Sequence, residues 1–441
     1  MKVTREKTEQ NQAYLTVEME PDELKESWEQ AYKSLSRQVK VPGFRSGKAP
    51  RAILERHVGR DAMVDEAIKD AVPRAYEKAI AEQQIQPVAQ PEIEITQTDP
   101  VIFKAIVPLP PTVELGDYKS VRLMPDAVEI KEEDIDSVLE RLRHDHATWD
   151  PVERPAELMD MATIDIDSTI EEEPYIKRIG MQYNLIQDAS FPVPGFADQV
   201  KGMKAGEEKE FNLRFPADYT QKELANKEGS FKIKLTEIKQ EKLPELNADF
   251  VKQVKADLET AEALREEIRK SLQQNAEDKA KIDFEEKVVD TVADQAILGF
   301  PPVFVDSEID RIIRSQLRRW QLPDDKLADY LRMINKSYEE FREELKPMAV
   351  KNVSGTLVLD KIAEDEKIEA TEADVDAEVE KMNAAITEDV EKYKQMLNSP
   401  GSRQSLKLMI VRRKTIEYLT KIAKGEDKAV EKAAESESKE G

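Results

Sequence analysis

The hydrophobic period of the chain changes near residue 243, and this constrains its fold more than any other feature. Before that point, ATIDIDSTI at 162–170, EFNLRF at 210–215 and SFKIKLTEI at 230–238 alternate apolar and polar residues, the two-residue period of half-buried strands. Beyond it, apolar residues recur every three or four positions, as they do on one face of a helix. A single layer type cannot satisfy both patterns. With 441 residues and roughly 100 to 200 residues per domain, the chain is expected to form about three domains.

The first 112 residues mix both periods. Residues 2–20 read as two short strands, and Pro21 and Asp22 then open a helix with Leu24, Trp28, Ala31, Tyr32 and Leu35 on one face. The stretch VPGFRSGKAP breaks the pattern with two prolines and two glycines. Helix resumes from Ala52 to about Gln83, with an interruption near Gly59. PEIEI at 91–95 and VIFKAIV at 101–107 flank a QTDP turn, which completes an α+β unit with the glycine loop at one tip.

Residues 113–150 read as a connector with one helix, EEDIDSVLERLRHDHATW, stopped by Pro151 and Pro155. A mostly β domain is expected at 151–242 and a helical one at 243–425. Leu264, Ile268, Leu272 and Ala276 form a stripe narrow enough for an extended arm. Ser337 with Glu340 and Thr371 with Asp374 have capping-box spacing, and a last helix at about 403–424 carries Leu406, Met409, Ile410, Ile416, Leu419 and Ala423 on one side. The tail at 426–441 is polar and charged, and disorder is expected there.

A net charge of −24 argues against a broad nucleic-acid-binding face, because phosphate contacts need cations. The absence of cysteine excludes disulfides and thiolate metal sites. There is no apolar leader and no run of about 18 apolar residues, so a cytoplasmic protein without a membrane span is expected.

Against that acidic background, 43-GFRSGKAP-50 stands out. It nearly reads as a phosphate-binding loop, but such a loop follows a strand and needs G-x-x-x-x-G-K-[ST]. Here only three residues separate Gly43 from Gly47, Ala49 stands where the hydroxyl residue belongs, and Pro50 lacks an N–H. Lys40, Arg45, Lys48, Arg51, Arg56 and Arg60 make a basic island opposed only by Glu55. Such an island can steer one tip toward an anionic partner. The two glycines permit positive φ, which would present Phe44 outward as a docking plug for a ribonucleoprotein surface. A solvated loop with Phe44 tucked into its own domain satisfies the same spacing.

Other chemistry is sparse. His57 stands alone, and His144 with His146 has no further ligand nearby, so no metal site or cofactor is expected. Three histidines without cysteine offer little to a nucleophilic constellation. Val193, Phe196, Tyr219 and Phe231 come from separate segments and could converge on one apolar cleft. A plain core accounts for them equally well.

These residues resemble bacterial trigger factor, a family of ribosome-associated chaperones. GFRSGKAP is similar to that family's docking motif G-F-R-x-G-K-x-P at every fixed position. The stretches 193-VPGF-196 (with Val193 and Phe196), 204-KAGE-207 and 215-FPADY-219 look like an FKBP-type prolyl isomerase domain. The resemblance spans the chain, including LPEL at 243–246. It implies a multidomain α+β protein: an N-terminal ribosome-docking domain, an FKBP-like β-rich middle domain inserted at the far end, and an all-helical C-terminal domain whose protruding arms form a cradle, with the 113–149 connector helix packed along it.

By the same resemblance, Gly43, Phe44, Arg45, Ser46, Gly47, Lys48, Ala49 and Pro50 would bind the large ribosomal subunit, touching an exit-site protein and nearby rRNA. Nascent and unfolded polypeptides would be the clients, and the protein would form a homodimer off the ribosome. Ile166, Tyr175, Val193, Phe196, Tyr219 and Phe231 would line the prolyl cleft. The chain departs from the FKBP pattern there. Ile166 stands where the first strand usually carries an aromatic, Glu171-Glu172 replaces an Asp-Gly turn, and Ile176 follows Tyr175 where an acid is usual. Pro192 and Val193 alter the cleft floor. The rival reading is a free-standing prolyl isomerase whose helices form a dimerisation module; a scaffold that binds neither ribosomes nor unfolded chains is a further alternative.

Overall fold

A computed structural model describes residues 1–426 except 21, 22, 172, 188, 190, 218, 220–223, 385 and 387–389. Its contacts divide the chain into two units, Met1–Asp126 together with the residues from Lys281 onward, and Ala127–Ala280.

The first unit opens with β1 (Lys2–Glu9) and β2 (Gln12–Glu18), joined at Gln10 and Asn11, both at positive φ. Then come α1 (Leu24–Gln38), α2 (Arg51–Val58), α3 (Arg60–Glu82), β3 (Glu92–Thr98) and β4 (Val101–Pro108). The strands form an antiparallel sheet ordered β1-β2-β4-β3. Alternation puts Ala13, Leu15 and Val17 of β2 and Val101, Phe103, Ala105 and Val107 of β4 on one buried face. Helix α3 covers that face with Ile68, Ala71, Val72, Ala75 and Ala79, and the three alanines let helix and sheet approach closely. A smaller cluster of Val41, Ala49, Leu54 and Met63, with Trp28, Tyr32, Leu35 and Val58 against it, joins α1, α2 and the ends of the glycine loop. Strand β5 (Thr112–Glu114) follows.

The second unit contains α4 (Glu132–Asp145), β6 (Thr148–Pro151), β7 (Met161–Ile170), β8 (Glu173–Asn184), α5 (Phe196–Val200), β9 (Glu208–Arg214), β10 (Glu228–Lys242), α6 (Ala248–Val254) and the start of α7 (Ala261–Asp294). Strand β10 is its spine, pairing β7 along most of its length, β9 through its first half and β6 through its last residues. Three sequence expectations change here. Pro151 does not break the chain; it ends β6 opposite Lys239, an edge position where a missing N–H is tolerated. Strand β8 was not foreseen. It is an edge strand, irregular in register against β7, with Ile179 88% exposed, so its sequence never alternates cleanly. The narrow stripe is also not free of contacts. Leu264 and Ile268 are buried against Ile135 and Leu139 of α4 and Phe250 and Val251 of α6, because two short helices suffice to cover so thin a stripe.

The remaining elements belong to the first unit: β11 (Ile297–Gly299), α8 (Pro302–Arg319), α9 (Leu327–Met333), α10 (Tyr338–Asp365), α11 (Glu372–Ala384), α12 (Val390–Leu397) and α13 (Pro400–Lys424). β11 pairs with β5, and a Cβ on Gly299 would lie 2.6 Å from both the Asn11 Oδ1 and the Thr112 Oγ1, so a larger residue would make both side chains turn aside. Both capping boxes are closed. The Glu340 N–H donates to the Ser337 Oγ at 3.1 Å and the Asp374 N–H to the Thr371 Oγ1 at 3.2 Å. Leu406, Ile410, Leu419 and Ala423 are buried along α13, but Met409 is 41% exposed and lies off that stripe. Among the described residues, no helix is long and apolar enough to cross a membrane. From residue 427 the polar tail lies outside the described residues.

Candidate functional site

Two places carry the residues singled out from the sequence. The first is the loop between α1 and α2. Gly43 and Gly47 have φ of 84° and 77°, a left-handed conformation that a side chain would strain. The loop is held from inside. The Gly47 N–H donates to the Ser36 carbonyl at 2.6 Å, Lys48 N–H to Arg45 carbonyl at 2.9 Å, and Phe44 N–H to Val41 carbonyl at 3.1 Å. The Ser46 Oγ donates to the Arg37 carbonyl at 2.9 Å, and the Tyr32 hydroxyl to the Ala49 carbonyl at 2.5 Å. Val41 and Ala49 are buried at the base, whereas Phe44 is 40% exposed at the tip.

The structure divides the basic island. Arg60 reaches Asp99 at 3.0 Å, and Arg51 lies over the Trp28 ring at 5.7 Å. Lys40, Arg45, Lys48 and Arg56 are exposed and have no carboxylate partner among the described residues. The tip therefore shows an aromatic ring flanked by unneutralised cations, with Pro50 leading into α2.

The second place is the sheet of β7 to β10. Ile166, Val193, Phe196 and Phe231 come together in one cluster, each at most 2% exposed, with Tyr175 and Tyr219 partly buried at its margin. The Phe196 ring packs at 5.6 Å from both Phe211 and Phe231. Tyr219 lies edge-on to Phe215 at 5.0 Å and donates its hydroxyl to the Pro192 carbonyl at 3.2 Å. Burial, and then the neighbouring Tyr219, push the Tyr175 phenol up. The six residues do gather, but four form the interior and only the two tyrosines face outward.

Sequence reasoning missed three aromatics in this cluster: Tyr183, Phe211 and Phe215. Phe215 starts the FPADY stretch and Phe211 alternates with it, so strand period could have found both. Tyr183 sits on the irregular β8. It is edge-on to Phe196 at 5.1 Å, its hydroxyl is buried with no partner among the described residues, and burial, then Asp198, pushes its phenol up to about 12. His144 Nδ1 lies 2.8 Å from Glu241 Oε1, and His146 meets Phe250 edge-on. Among the described residues, no three His, Cys, Asp or Glu side chains are grouped to hold a metal.

Comparison with known proteins matches nearly the whole chain to one family. Residues 1–142 match the model for bacterial trigger factor protein, and 260–421 match that for its C-terminus. Trigger factor from Dehalococcoides mccartyi is 40% identical over 424 residues, covering 96% of this chain and 95% of the relative. The chain belongs to the bacterial trigger factor family. Trigger factor from Moorella thermoacetica is 35% identical over 428 residues, 96% of this chain and 95% of its own. That from a Geobacillus species is 36% identical over 429 residues, 96% and 99%. Between the two trigger factor matches, residues 154–236 match FKBP-type peptidyl-prolyl cis-trans isomerase, a segment that contains β7 to β9 and most of β10. Like the family, this chain is a ribosome-associated chaperone with an FKBP-type domain and a helical C-terminal region. A solved trigger factor chaperone covers 95% of this chain and 99% of its own at 21% identity and TM-score 0.48; the family assignment rests on the sequence relatives instead.

Proposed function

We propose that residues 43–50 dock the chain on the large ribosomal subunit beside the nascent-chain exit, that the helices at 243–425 hold emerging unfolded segments, and that the domain at 151–242 isomerises X-Pro bonds. The exposed Phe44, next to Arg45 and on one loop with Lys48, carries the docking reading. Exposing an apolar ring gains a monomer nothing, and uncompensated cations on an acidic chain favour a local anionic partner such as rRNA beside a protein anchor. A free-standing isomerase has no use for such a tip.

Holding of unfolded chains is supported by apolar side chains exposed on separate helices, including Trp320, Met333, Met348, Met396 and Leu408. Weak contacts at several such points delay aggregation while allowing release. For isomerisation, the barrier of roughly 18–20 kcal/mol comes from amide resonance. A water-poor aromatic surface favours the twisted, less polar amide, so the reaction needs no acid, base or metal. Tyr175 and Tyr219 are the residues through which the cluster meets a prolyl peptide, with the Phe215 ring edge-on behind both. Ile166 and the missing acid after Tyr175 reduce the rate without removing the apolar surface.

Co-sedimentation with ribosomes tests the docking reading. Wild type should pellet with ribosomes, and a Phe44→Ala/Arg45→Ala/Lys48→Ala chain should stay in the supernatant; equal pelleting of the two sinks it. Proline-limited refolding of an unrelated protein tests the enzyme, and no acceleration by wild type would leave a domain that only binds.

A further inference from the structure

The loop's C-terminal side is tethered by one side chain that does not itself reach the tip. Tyr32 lies on α1, in the cluster with Val41, Ala49, Leu54 and Met63, and its hydroxyl donates to the Ala49 carbonyl at 2.5 Å. Ala49 is 2% exposed. The following residue, Pro50, has no N–H and stands as the cap of α2, so the backbone here offers few bonds of its own. Residues before proline are held to extended conformations, which fixes the direction of the carbonyl but not its partner.

On the other side, the Gly47 N–H is bonded to the Ser36 carbonyl and the Ser46 Oγ to the Arg37 carbonyl, both at the end of α1. The loop is thus anchored at three points to one helix, two through its middle and one through Tyr32. Among the described residues, the Tyr32 bond is the one hydrogen bond made to the Ala49 carbonyl, and it adds to the burial of Ala49 in restraining the stretch that joins Lys48 to α2. Without it, the Ala49 carbonyl loses its partner inside the cluster, and the loop gains freedom between Gly47 and Pro50.

We propose that Tyr32 is a positioning residue for ribosome docking: it sets how Phe44, Arg45 and Lys48 are presented, while touching none of the partner. This rests on the reading of the loop as the docking site. Preorganisation of this kind acts on affinity by removing ordering entropy at the moment of binding, so its loss should leave the charge contacts intact but make them harder to reach together.

The test is ribosome affinity of full-length Tyr32→Phe across a salt series, beside thermal unfolding and suppression of aggregation of an unfolded client. Phenylalanine keeps the packing and removes only the hydroxyl. Affinity should fall about twofold to twelvefold, the range of one lost hydrogen bond. The slope of affinity against salt should match wild type, since no cation is lost; unfolding temperature should fall only by the few degrees that one unpaired carbonyl costs, and aggregation suppression should match. Wild-type affinity, a changed salt slope, or an affinity loss confined to temperatures at which Tyr32→Phe is itself unfolding would each overturn the assignment. Should Tyr32→Phe unfold, hydrogen exchange of the Gly47 and Lys48 amides in wild type replaces it, and exchange as fast as in a free peptide would equally overturn a preorganised loop. The triple alanine variant separates the two ideas. If it binds like wild type, the docking reading fails; if it does not bind but Tyr32→Phe does so normally, only the positioning role fails.

Discussion

The loop at 43–50 and the aromatic cluster of the FKBP-type domain use phenylalanine in opposite ways. Phe44 is 40% exposed on a loop held by backbone bonds, whereas Phe196 and Phe231 are fully buried and hold up neighbouring rings. In the loop, local conformation does the positioning and the ring is free to meet a partner. In the cluster the rings themselves do the positioning, and of the six expected cleft residues Tyr175 and Tyr219 remain partly exposed for contact. Substitutions should therefore separate binding from stability in the first region and couple them in the second.

The largest effect is expected for Phe231→Ala, which should cost about 3–5 kcal/mol of stability in the FKBP-type domain, read by denaturant unfolding, and abolish isomerisation through loss of the fold. A loss under about 1 kcal/mol would mean that the cluster is not a packed core. Next comes Phe44→Ala, with ribosome affinity about tenfold weaker and stability within about 0.5 kcal/mol of wild type. If stability fell substantially, Phe44 would belong to its own domain's core and the contrast would collapse.

Tyr183→Phe probes the cluster residue whose buried hydroxyl has no partner among the described residues. Removing a polar group that has lost its hydration should be neutral or stabilising by up to about 1 kcal/mol, the reverse of every other truncation there. The same residue gives the cluster an alkaline weakness. With its phenol pushed up to about 12, Tyr183 keeps its proton where the unfolded chain would lose it. That stability is full below the ordinary phenol pKa and is lost as pH rises toward 12, so Tyr183→Phe should flatten the stability curve in that window. A slope unchanged by the substitution would place the weakness elsewhere.

The smallest effect is expected at the cap of α11. Asp374 is held down to about 2, first by the Lys414 side chain and then by the Thr371 N–H and hydroxyl. Its contribution is present above the ordinary carboxylate pKa and lost as pH falls toward 2. Asp374→Asn should remove this acid dependence from the exchange protection of the first turn of α11, while neither the loop nor the aromatic cluster responds.

Much of the first region was legible in the sequence. Gly43, Gly47 and Pro50 announce a turn, the run of cations is a property of neighbours along the chain, and Phe44 between them reads as exposed once both glycines are given positive φ. What was not legible was the partnership of Arg60 with Asp99 and of Tyr32 with Ala49, because α3 and the β3–β4 turn, or α1 and the loop end, meet only on folding. The second region was legible as strands and as an aromatic set, but not as inside and outside. Phe231 and Tyr219 look alike in a pattern of apolar residues, and their different exposure follows from the ring stack that Phe196, Phe211 and Phe231 build across three elements.

The same division holds through the chain. Sequence alone determined the change of period near residue 243, the closed capping boxes at Ser337 and Thr371, the basic tip and the family, since each depends on residues close together or on a motif read in order. Tertiary structure alone decided that β8 exists, that Pro151 ends a strand, that Leu264 and Ile268 are covered, and that Gly299 sits against the Asn11 and Thr112 side chains. Those outcomes depend on what arrives opposite from distant parts of the chain: an edge strand needs a neighbour, a stripe needs a lid, and the 2.6 Å approach to Asn11 and Thr112 needs the β5–β11 pairing. Burial is a property of two surfaces, and one sequence segment describes only its own.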